Sequence, residues 1–329
     1  MNNAKKYALI DLHLHLDGSM SLECARSLAT KQGIALPDDE ELLSKLRVSE
    51  DCQDLNEYLE CFALPLSLLQ TADAISESVE RLCNELAEEG LIYAEIRFAP
   101  QLHLQNGLTQ EEVVLAALDG LSRSKLKASL ILCCMRGAEN KNENIETVRL
   151  VSKYLGQGVC AVDLAGAEAL FPNENFVDVI SYAKSLSLPM TLHAGEALGV
   201  ESVYSAIELG AWRIGHGVRS VEDSSLVELL ANKQIALELC PTSNLNTRVF
   251  DKLSDYPIRT FLDANVLITI NTDNISVSAT SLANEYQKIA DTFSLSEDEL
   301  FALALNSAKA TFLSENEKNK LVDEIKKSL

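Results

Sequence analysis

The sequence predicts a (β/α)8 TIM-type barrel, an α/β fold in which eight parallel strands alternate with helices. Two patterns favour this class. Eight short apolar, β-branched runs recur along the chain, and longer stretches with helical periodicity separate them. The length of 329 residues agrees, because such a barrel needs roughly 250 residues plus insertions. The chain shows no internal repeat, low-complexity tract or linker rich in Pro, Gly and Ser, so residues 1–329 are predicted to form one domain.

The predicted strands are apolar along nearly their whole length, as in the runs LILCC and VLITI. Parallel strands that helices cover on both faces have this composition. We therefore expect the barrel wall, in chain order, at residues 7–13, 91–98, 129–135, 159–164, 190–193, 212–215, 235–240 and 266–271.

The stretches between the strands carry helix start signals. Thr109-x-x-Glu112 and Ser296-x-x-Glu299 have the capping-box pattern, in which side chains satisfy the free amide donors of the first turn. Residues 22–89 are too many for one crossover and have a helical pattern. They form either additional helices packed on the barrel after the first strand or a lid over its pocket. The tail after Leu295 predicts further helices at the C-terminus.

Composition and charge restrict the class of partner. The formal net charge of −21 argues against nucleic acids and anionic membranes, whose binding proteins carry basic patches. The first 19 residues lack the pattern of a signal peptide, and no apolar run approaches about 18 residues. We expect a soluble cytoplasmic protein that acts on a small molecule, and the sequence leaves its oligomeric state open.

The eight cysteines are predicted to be reduced thiols in the core. Cys133 and Cys134 are adjacent, and Cys83, Cys160 and Cys240 lie in apolar segments. No CxxC pair occurs, which argues against a zinc site built from thiolates.

The histidines are concentrated at the ends of predicted strands. Of the five in the chain, four lie there: His13, His15, His193 and His216. Residues two apart in a strand face the same way, so His13 and His15 can present two imidazoles to one ion, and Asp17 continues the row. In parallel barrels functional groups gather at the carboxyl ends of the strands. The fifth histidine, His103, follows Pro100 and is expected on the surface.

These residue types suit a catalytic zinc ion. Such an ion takes three or four nitrogen or oxygen ligands and keeps one position open for water, whose pKa it lowers toward neutrality. His216 and Glu196 remain for proton transfer, and Glu196, three residues after His193, is the candidate acid. The predicted ligands are His13, His15, His193 and Asp273.

At these residues the chain resembles the adenosine/AMP deaminase family, over nearly all of its length. Each motif that carries the resemblance closes a predicted strand, and the motifs occur in the family's order. They are LHLHLDGS, YAEIRFAPQ, CCMRG, VDLAGAE, LHAGE, RIGHG, LELCPTSN and INTDN.

The resemblance implies a barrel with one zinc ion per chain, held by the four ligands predicted above. It also implies that Glu196 is the acid beside the purine and that His216 contacts the attacking water. His15 and Asp17 would contact the nucleoside, Asp17 at a sugar hydroxyl. The backbone of Gly166 would meet the purine, where a glycine permits close approach.

One position departs from the family pattern: Asn274 follows Asp273 where many relatives have a second aspartate. The resemblance implies that the residue at this position hydrogen-bonds purine N7, which only accepts. A carboxylate must hold a proton to donate, whereas an amide donates at any pH. We therefore expect Asn274 to be tolerated.

The expected reaction is hydrolytic deamination of adenosine, and of 2′-deoxyadenosine, to the 6-oxo nucleoside and ammonia. We expect Glu196 to protonate purine N1 while zinc supplies hydroxide that Asp273 and His216 direct at C6. The alternatives are another 6-aminopurine as substrate (adenine, an adenine nucleotide or a modified nucleoside) and a purine-binding barrel without catalysis. A two-metal hydrolase on this barrel type would bridge its ions with a carboxylate or a modified lysine at the fourth strand. That interpretation is disfavoured because the strand ends Asp163-Leu164-Ala165-Gly166 and no lysine follows. The cytidine-deaminase signature is absent.

Overall fold

The structure is a computed structural model that describes residues 8–328. Within this range eight strands, each parallel to its neighbours, form the wall of a barrel. They are β1 (Leu9–His15), β2 (Leu91–Phe98), β3 (Ala128–Met135), β4 (Val159–Ala165), β5 (Thr191–Ala194), β6 (Arg213–His216), β7 (Ala236–Leu239) and β8 (Ile268–Ile270).

The wall closes through two short contacts between its halves. Strands β1 to β4 and strands β5 to β8 form two continuous ladders. Val162 bridges to Met190 between β4 and β5, and Leu14 bridges to Asp273 between β1 and the segment after β8. The predicted barrel is confirmed.

Each predicted strand lies within two residues of an observed one, although residue 7 of the first falls outside the described residues. The apolar runs locate the strands because their side chains are buried on both faces. The runs at residues 190–193 and 212–215 begin one residue early. Trp212, at the start of the second, is 56% exposed and precedes the ladder.

The described residues also form fifteen α-helices and several short 3-10 helices. The α-helices are α1 (Leu22–Gln32), α2 (Asp39–Leu46), α3 (Leu55–Leu59), α4 (Ala63–Leu68), α5 (Ala72–Glu88), α6 (Gln110–Arg123), α7 (Lys141–Tyr154), α8 (Val177–Ser185), α9 (Val200–Leu209), α10 (Ser224–Lys233), α11 (Pro241–Asn246), α12 (Ile258–Asp263), α13 (Leu282–Phe293), α14 (Glu297–Ala310) and α15 (Glu315–Lys327). The 3-10 helices are Glu60–Phe62, Pro100–Leu102, Asn173–Phe176, Val218–Glu222 and Leu253–Asp255.

The additional helices lie where the sequence predicts them. Helices α1 to α5 separate β1 from β2, and α5 packs against α6 on the outside of the barrel. At the C-terminus α14 packs against β1 and β8, so it covers the side where the barrel closes. Both predicted capping boxes are present, at Thr109 with Glu112 and at Ser296 with Glu299.

The eight cysteines are free thiols, and all but the half-buried Cys61 are buried. Within residues 8–328, no helix combines the length and apolarity that a membrane span requires.

Candidate active site

The predicted chemical residues lie together at the carboxyl end of the barrel. His13 and His15 are on β1, and their side chains follow the two-residue period of the strand. His193 lies on β5, His216 ends β6, and Asp273 follows β8 by three residues. Four of them, His13, His15, His193 and Asp273, offer ligand atoms within 4.8 Å of one another.

The backbone at Asp273 and His216 adopts an uncommon conformation. Their φ angles are 62° and 59°, in the left-handed region that residues other than glycine rarely occupy. The Asp273 amide donates to the His13 carbonyl (2.7 Å), and the His15 amide donates to the Asp273 carbonyl (2.8 Å). Pairing with β1 therefore fixes the Asp273 carboxylate beside the two imidazoles.

The spacing of the four donors fits a metal ion. His15 Nε2 lies 3.3 Å from His193 Nε2, and Asp273 Oδ1 lies 3.4 Å from Nε2 of both His13 and His15. Ligand atoms at zinc distances of about 2.0–2.1 Å in a tetrahedral site lie about 3.3–3.4 Å apart. His13 Nε2 is fully buried and makes no hydrogen bond, which is costly for an atom without a bound partner.

Two buried carboxylates orient the imidazoles. His13 Nδ1 lies 2.8 Å from Glu238 Oε2, and His193 Nδ1 lies 3.0 Å from Asp163 Oδ2. Each Nδ1–H donates to its carboxylate, so each Nε2 lone pair faces the cluster. Arg97 donates to both acids, at 2.9 Å to Asp163 and 2.8 Å to Glu238.

Neither of these two acids was predicted from the sequence to belong to the site. Both lie in motifs that carry the family resemblance, Asp163 in VDLAGAE and Glu238 in LELCPTSN, but neither was given a role. The available signal was an acidic residue inside an otherwise apolar strand, in VDLAG and in LELC.

The surroundings keep two of the histidines neutral. Burial, and then the charge of Arg97, lower the pKa of His13 to about 4. Burial also lowers the pKa of His15 well below its ordinary value. Burial disfavours charge on His193 too, but the Asp163 carboxylate raises its pKa. Burial opposes ionisation of Asp273, yet the neighbouring His13 holds the pKa of that carboxyl well below its usual range.

Glu196 and His216 form the second part of the site. Glu196 Oε2 lies 3.5 Å from His216 Nε2, and Thr247 Oγ1 donates to Glu196 Oε1 (3.2 Å). Asn244 Nδ2 donates to His216 Nδ1 (3.2 Å), and the Tyr256 hydroxyl donates to Asn244 Oδ1 (3.0 Å). With Nδ1 as the acceptor, the His216 proton lies on Nε2 and faces Glu196 and the cavity.

Burial raises the pKa of Glu196, against the opposing effect of His216. A carboxyl group with a raised pKa keeps its proton nearer to neutral pH and can act as a general acid. Asn244, which fixes the His216 tautomer, was missed from the sequence, although it ends the motif LELCPTSN.

These groups open into a cavity of about 310 Å³, the size of a small-molecule site. The barrel contributes the polar wall, which includes His15, Asp17, Glu196 and His216. The insertion after β1 contributes the apolar roof, formed by Leu55, Tyr58, Leu59, Phe62 and Leu66. The two interpretations of residues 22–89 are thus compatible, since this segment both packs on the barrel and covers the cavity.

The remaining predicted residues line the same cavity. Asp17 is buried, and this raises its pKa to about 6. Gly166 has φ +106°, a conformation that favours glycine. Asn274 packs its Oδ1 against Gly18, where an added Cβ would come within 1.7 Å of that oxygen. A side chain at position 18 would therefore displace Asn274.

The prediction for His103 is wrong. This residue is fully buried after the 3-10 turn Pro100–Leu102, with its ring beside Phe98. Its Nδ1 donates to the Leu69 carbonyl (2.9 Å), which ties the insertion to the barrel. A loop position predicts exposure on average, but here the packed insertion covers the loop.

Comparison with known proteins agrees with the fold and shows the family. Residues 8–328 match the sequence model of the adenosine deaminase family. Among curated relatives, the chain is 49% identical to the adenosine deaminase of Haemophilus ducreyi, over 97% of this chain and 96% of that protein. It is 42% identical to the adenosine deaminase of Enterococcus faecalis, over 96% and 95% respectively.

Solved structures extend the comparison. The adenine deaminase of Arthrobacter aurescens superposes with a TM-score of 0.87 at 27% identity, covering 98% of each chain. The N6-mAMP deaminase of Arabidopsis gives the same score and identity, covering 99% of this chain and 100% of that one. Fold and site thus define an amidohydrolase-type barrel deaminase. Within that class the chain belongs to the adenosine deaminase family, so the resemblance seen in the sequence is confirmed.

Proposed function

We propose that this chain hydrolyses adenosine, and 2′-deoxyadenosine, at C6 to give the 6-oxo nucleoside and ammonia, with one zinc ion per chain. The observation that carries the proposal is the four-donor cluster beside a buried Glu196 in one small cavity. The 49% identity to a named adenosine deaminase supports adenosine as the substrate.

The metal would be held by His13, His15, His193 and Asp273, whose nitrogen and oxygen donors suit zinc. When bound, the ion supplies Lewis acidity that activates water at neutral pH.

Proton transfer falls to the side chains beside the cluster. Protonated Glu196 donates to purine N1, which makes C6 a better electrophile for the attacking water. The Nε2–H of His216 and the Asp273 carboxylate hold that water in line with C6. When water adds at C6, the Asp273 carboxylate takes its proton and passes it to the amino group, which leaves as ammonia, and the proton of the remaining C6 hydroxyl returns to Glu196.

Substrate recognition is assigned to four residues that line the cavity. His15 and Asp17 contact the nucleoside, with the Asp17 carboxylate accepting from a sugar hydroxyl. The backbone of Gly166 approaches the purine, and the Asn274 amide donates to N7, which can only accept.

Asp17 also bears on the alternative substrates, since the solved relatives include deaminases of adenine and of N6-mAMP. A buried carboxylate has no partner in a free base, and it repels a phosphate on the same side of the cavity. A two-metal hydrolase is further disfavoured because Asp163 is already engaged by Arg97 and His193.

We further propose that residues 1–329 form one domain and that the protein works in the cytoplasm. One continuous hydrophobic core extends from β1 to α15, which supports a single domain. Eight free thiols suit a reducing compartment.

The test is the ultraviolet absorbance of zinc-loaded protein mixed separately with adenosine, 2′-deoxyadenosine, adenine and AMP. We expect rapid conversion of the two nucleosides, abolished by a chelator and restored by zinc. If only adenine or AMP were converted, the proposed deamination chemistry would stand, but the proposed role of Asp17 would be refuted. No reaction with any of the four would refute the proposal.

A further inference from the structure

A buried carboxylate outside the cavity collects an unusual number of hydrogen bonds. Glu168 is 1% exposed and lies just beyond β4, in the motif VDLAGAE. Its Oε1 accepts from the Gly195 amide (2.8 Å) and from Ser202 Oγ (2.5 Å). Its Oε2 accepts from three further backbone amides, those of Glu196 (3.2 Å), Ala197 (2.7 Å) and Leu198 (3.0 Å).

The four amides belong to the consecutive residues 195–198, and the second of these residues is Glu196, the candidate acid. Gly195 has φ +70°, so the chain turns sharply after His193 and its successive N–H groups converge on one point. An anion at that point makes charge-assisted hydrogen bonds, which are stronger than neutral ones. The Glu168 carboxylate is that anion.

The carbonyl side of the same turn is fixed separately. The Arg219 amide donates to the Gly195 carbonyl (3.1 Å), and Arg219 Nε donates to the Glu196 carbonyl (2.8 Å). Glu168 holds the amides and Arg219 holds the carbonyls, so the backbone of Glu196 is held from both sides. This matters because a misplacement of about 1 Å in a catalytic group can cost about 100-fold in rate.

Glu168 has no direct access to the chemistry. It is not among the residues that line the cavity, nor in the four-donor cluster, within the described part of the chain. Glu168 can therefore act on the reaction only through the neighbouring Glu196, by the turn that it binds and by its charge, which contributes, after burial, to raising the pKa of Glu196.

We propose that Glu168 is a positioning residue, whose carboxylate fixes the 195–198 backbone so that the Glu196 side chain is aimed at the substrate. Because Glu168 acts through Glu196, this role rests on the proposed function. It is specific to the acid, since Glu168 contacts neither the metal ligands nor the residues assigned to the sugar.

The first test compares Glu168→Gln, Glu168→Asp and the control Glu174→Gln, which removes one charge from an exposed position on the same segment. In Glu168→Gln an NH₂ group replaces one acceptor oxygen and faces N–H donors, so we expect kcat to fall about 10- to 100-fold. KM and bound zinc should stay near those of the parent. Glu168→Asp keeps the charge and should recover part of kcat, and the control should match the parent. Loss of zinc, or a rise in KM with unchanged kcat, would refute the role.

The second test places Glu168→Gln in a Glu196→Gln background. If Glu168 acts through Glu196, the second substitution should cost little once the acid is gone, because coupled residues are not additive. An equal loss in both backgrounds would mean a general structural role and would overturn the inference. Near-normal turnover of Glu196→Gln alone would overturn the proposed mechanism. An impaired Glu196→Gln with a normal Glu168→Gln would overturn only the role of Glu168.

Discussion

At the scale of single residues, the proposed metal ligands depend on the acids behind them. Asp163 accepts from His193 Nδ1 and is paired with Arg97. Asp163→Asn keeps an acceptor oxygen but loses the charge that makes the imidazole a stronger ligand. We expect zinc affinity to fall about 10- to 100-fold, the usual cost of removing such a partner. Competition with a chelating dye measures it, with the exposed Asp251→Asn as control. Unchanged affinity would show that the negative charge of Asp163 does not strengthen metal binding.

Asn274 gives a second prediction at this scale. An aspartate at position 274 would lie beside ionised Asp273 in a buried site, and it could donate to N7 only while protonated. We expect the kcat/KM of Asn274→Asp at pH 7 to exceed that of the parent by no more than about tenfold. The variant should lose activity relative to the parent as the pH rises. Asn274→Leu, similar in size but without a donor, should be impaired. A large gain in Asn274→Asp at neutral pH would contradict our account of N7 recognition.

His103 should make the protein sensitive to acid. Burial lowers its pKa to about 4, whereas an unfolded histidine has a pKa of about 6.5. Between these values the unfolded chain binds the proton and the folded chain does not, so stability falls as the pH falls. His103 should account for about 2 kcal/mol of the loss between pH 7 and pH 5. Urea unfolding of His103→Asn, which keeps a donor for Leu69, should show a loss smaller by that amount. Equal losses would refute this.

The four residues that the sequence singled out as ligands do cluster in the structure, but the residues that orient them were not predicted. His13, His15 and Asp273 could be found because a strand fixes the direction of its side chains and parallel strands end at one edge. Asp163 and Glu238 act on histidines of other strands, in a register that no single motif encodes. The predicted exposure of His103 was wrong for a similar reason, because the burial of this residue depends on a helical insertion that is distant in the sequence.

At the scale of elements, the segment that roofs the cavity is held at three places, by hydrogen bonds of Arg248, Tyr58 and Val48. Arg248, after α11, donates from Nε to the Cys52 carbonyl (2.7 Å) and from Nη2 to the Glu50 carbonyl (2.8 Å). The Tyr58 hydroxyl lies 2.8 Å from Ser278 Oγ, and the Val48 amide donates to the Val277 carbonyl (3.0 Å). The sequence predicted helices here, but it could not show which loops they contact.

Arg248→Met should loosen this roof. The change keeps an apolar stem but removes hydrogen bonds from a charged group, each worth about 1.5–3 kcal/mol. We expect faster hydrogen exchange in residues 48–62 and a KM for adenosine raised by up to about tenfold, with zinc content unchanged. Lys252→Met, at an exposed position nearby, is the matched control. Unchanged exchange in the roof would show that the other two contacts suffice.

At the scale of the whole molecule, the ligand cluster lies across the closure of the barrel. Asp273 pairs with β1 through its own backbone, and β1 carries His13 and His15. His193 stands on β5, in the other ladder from β1. A bound ion would therefore join the two halves of the wall at one end, in addition to its chemical role.

Removal of the ion should weaken this closure without unfolding the chain, because a domain of this size buries a sufficient core without a metal. Free ion at a thousand times its Kd contributes about 4 kcal/mol, which corresponds to a fall in Tm of roughly 5 °C for a chain of this length. Hydrogen exchange should rise in β1, β5 and the segment after β8, and β3, which carries no ligand, should stay protected. A His193→Asn variant, already short of a ligand, should show little further change with a chelator. If exchange rose equally in every strand, the ion would stabilise the fold as a whole, and the location of its ligands at the closure would have no mechanical consequence.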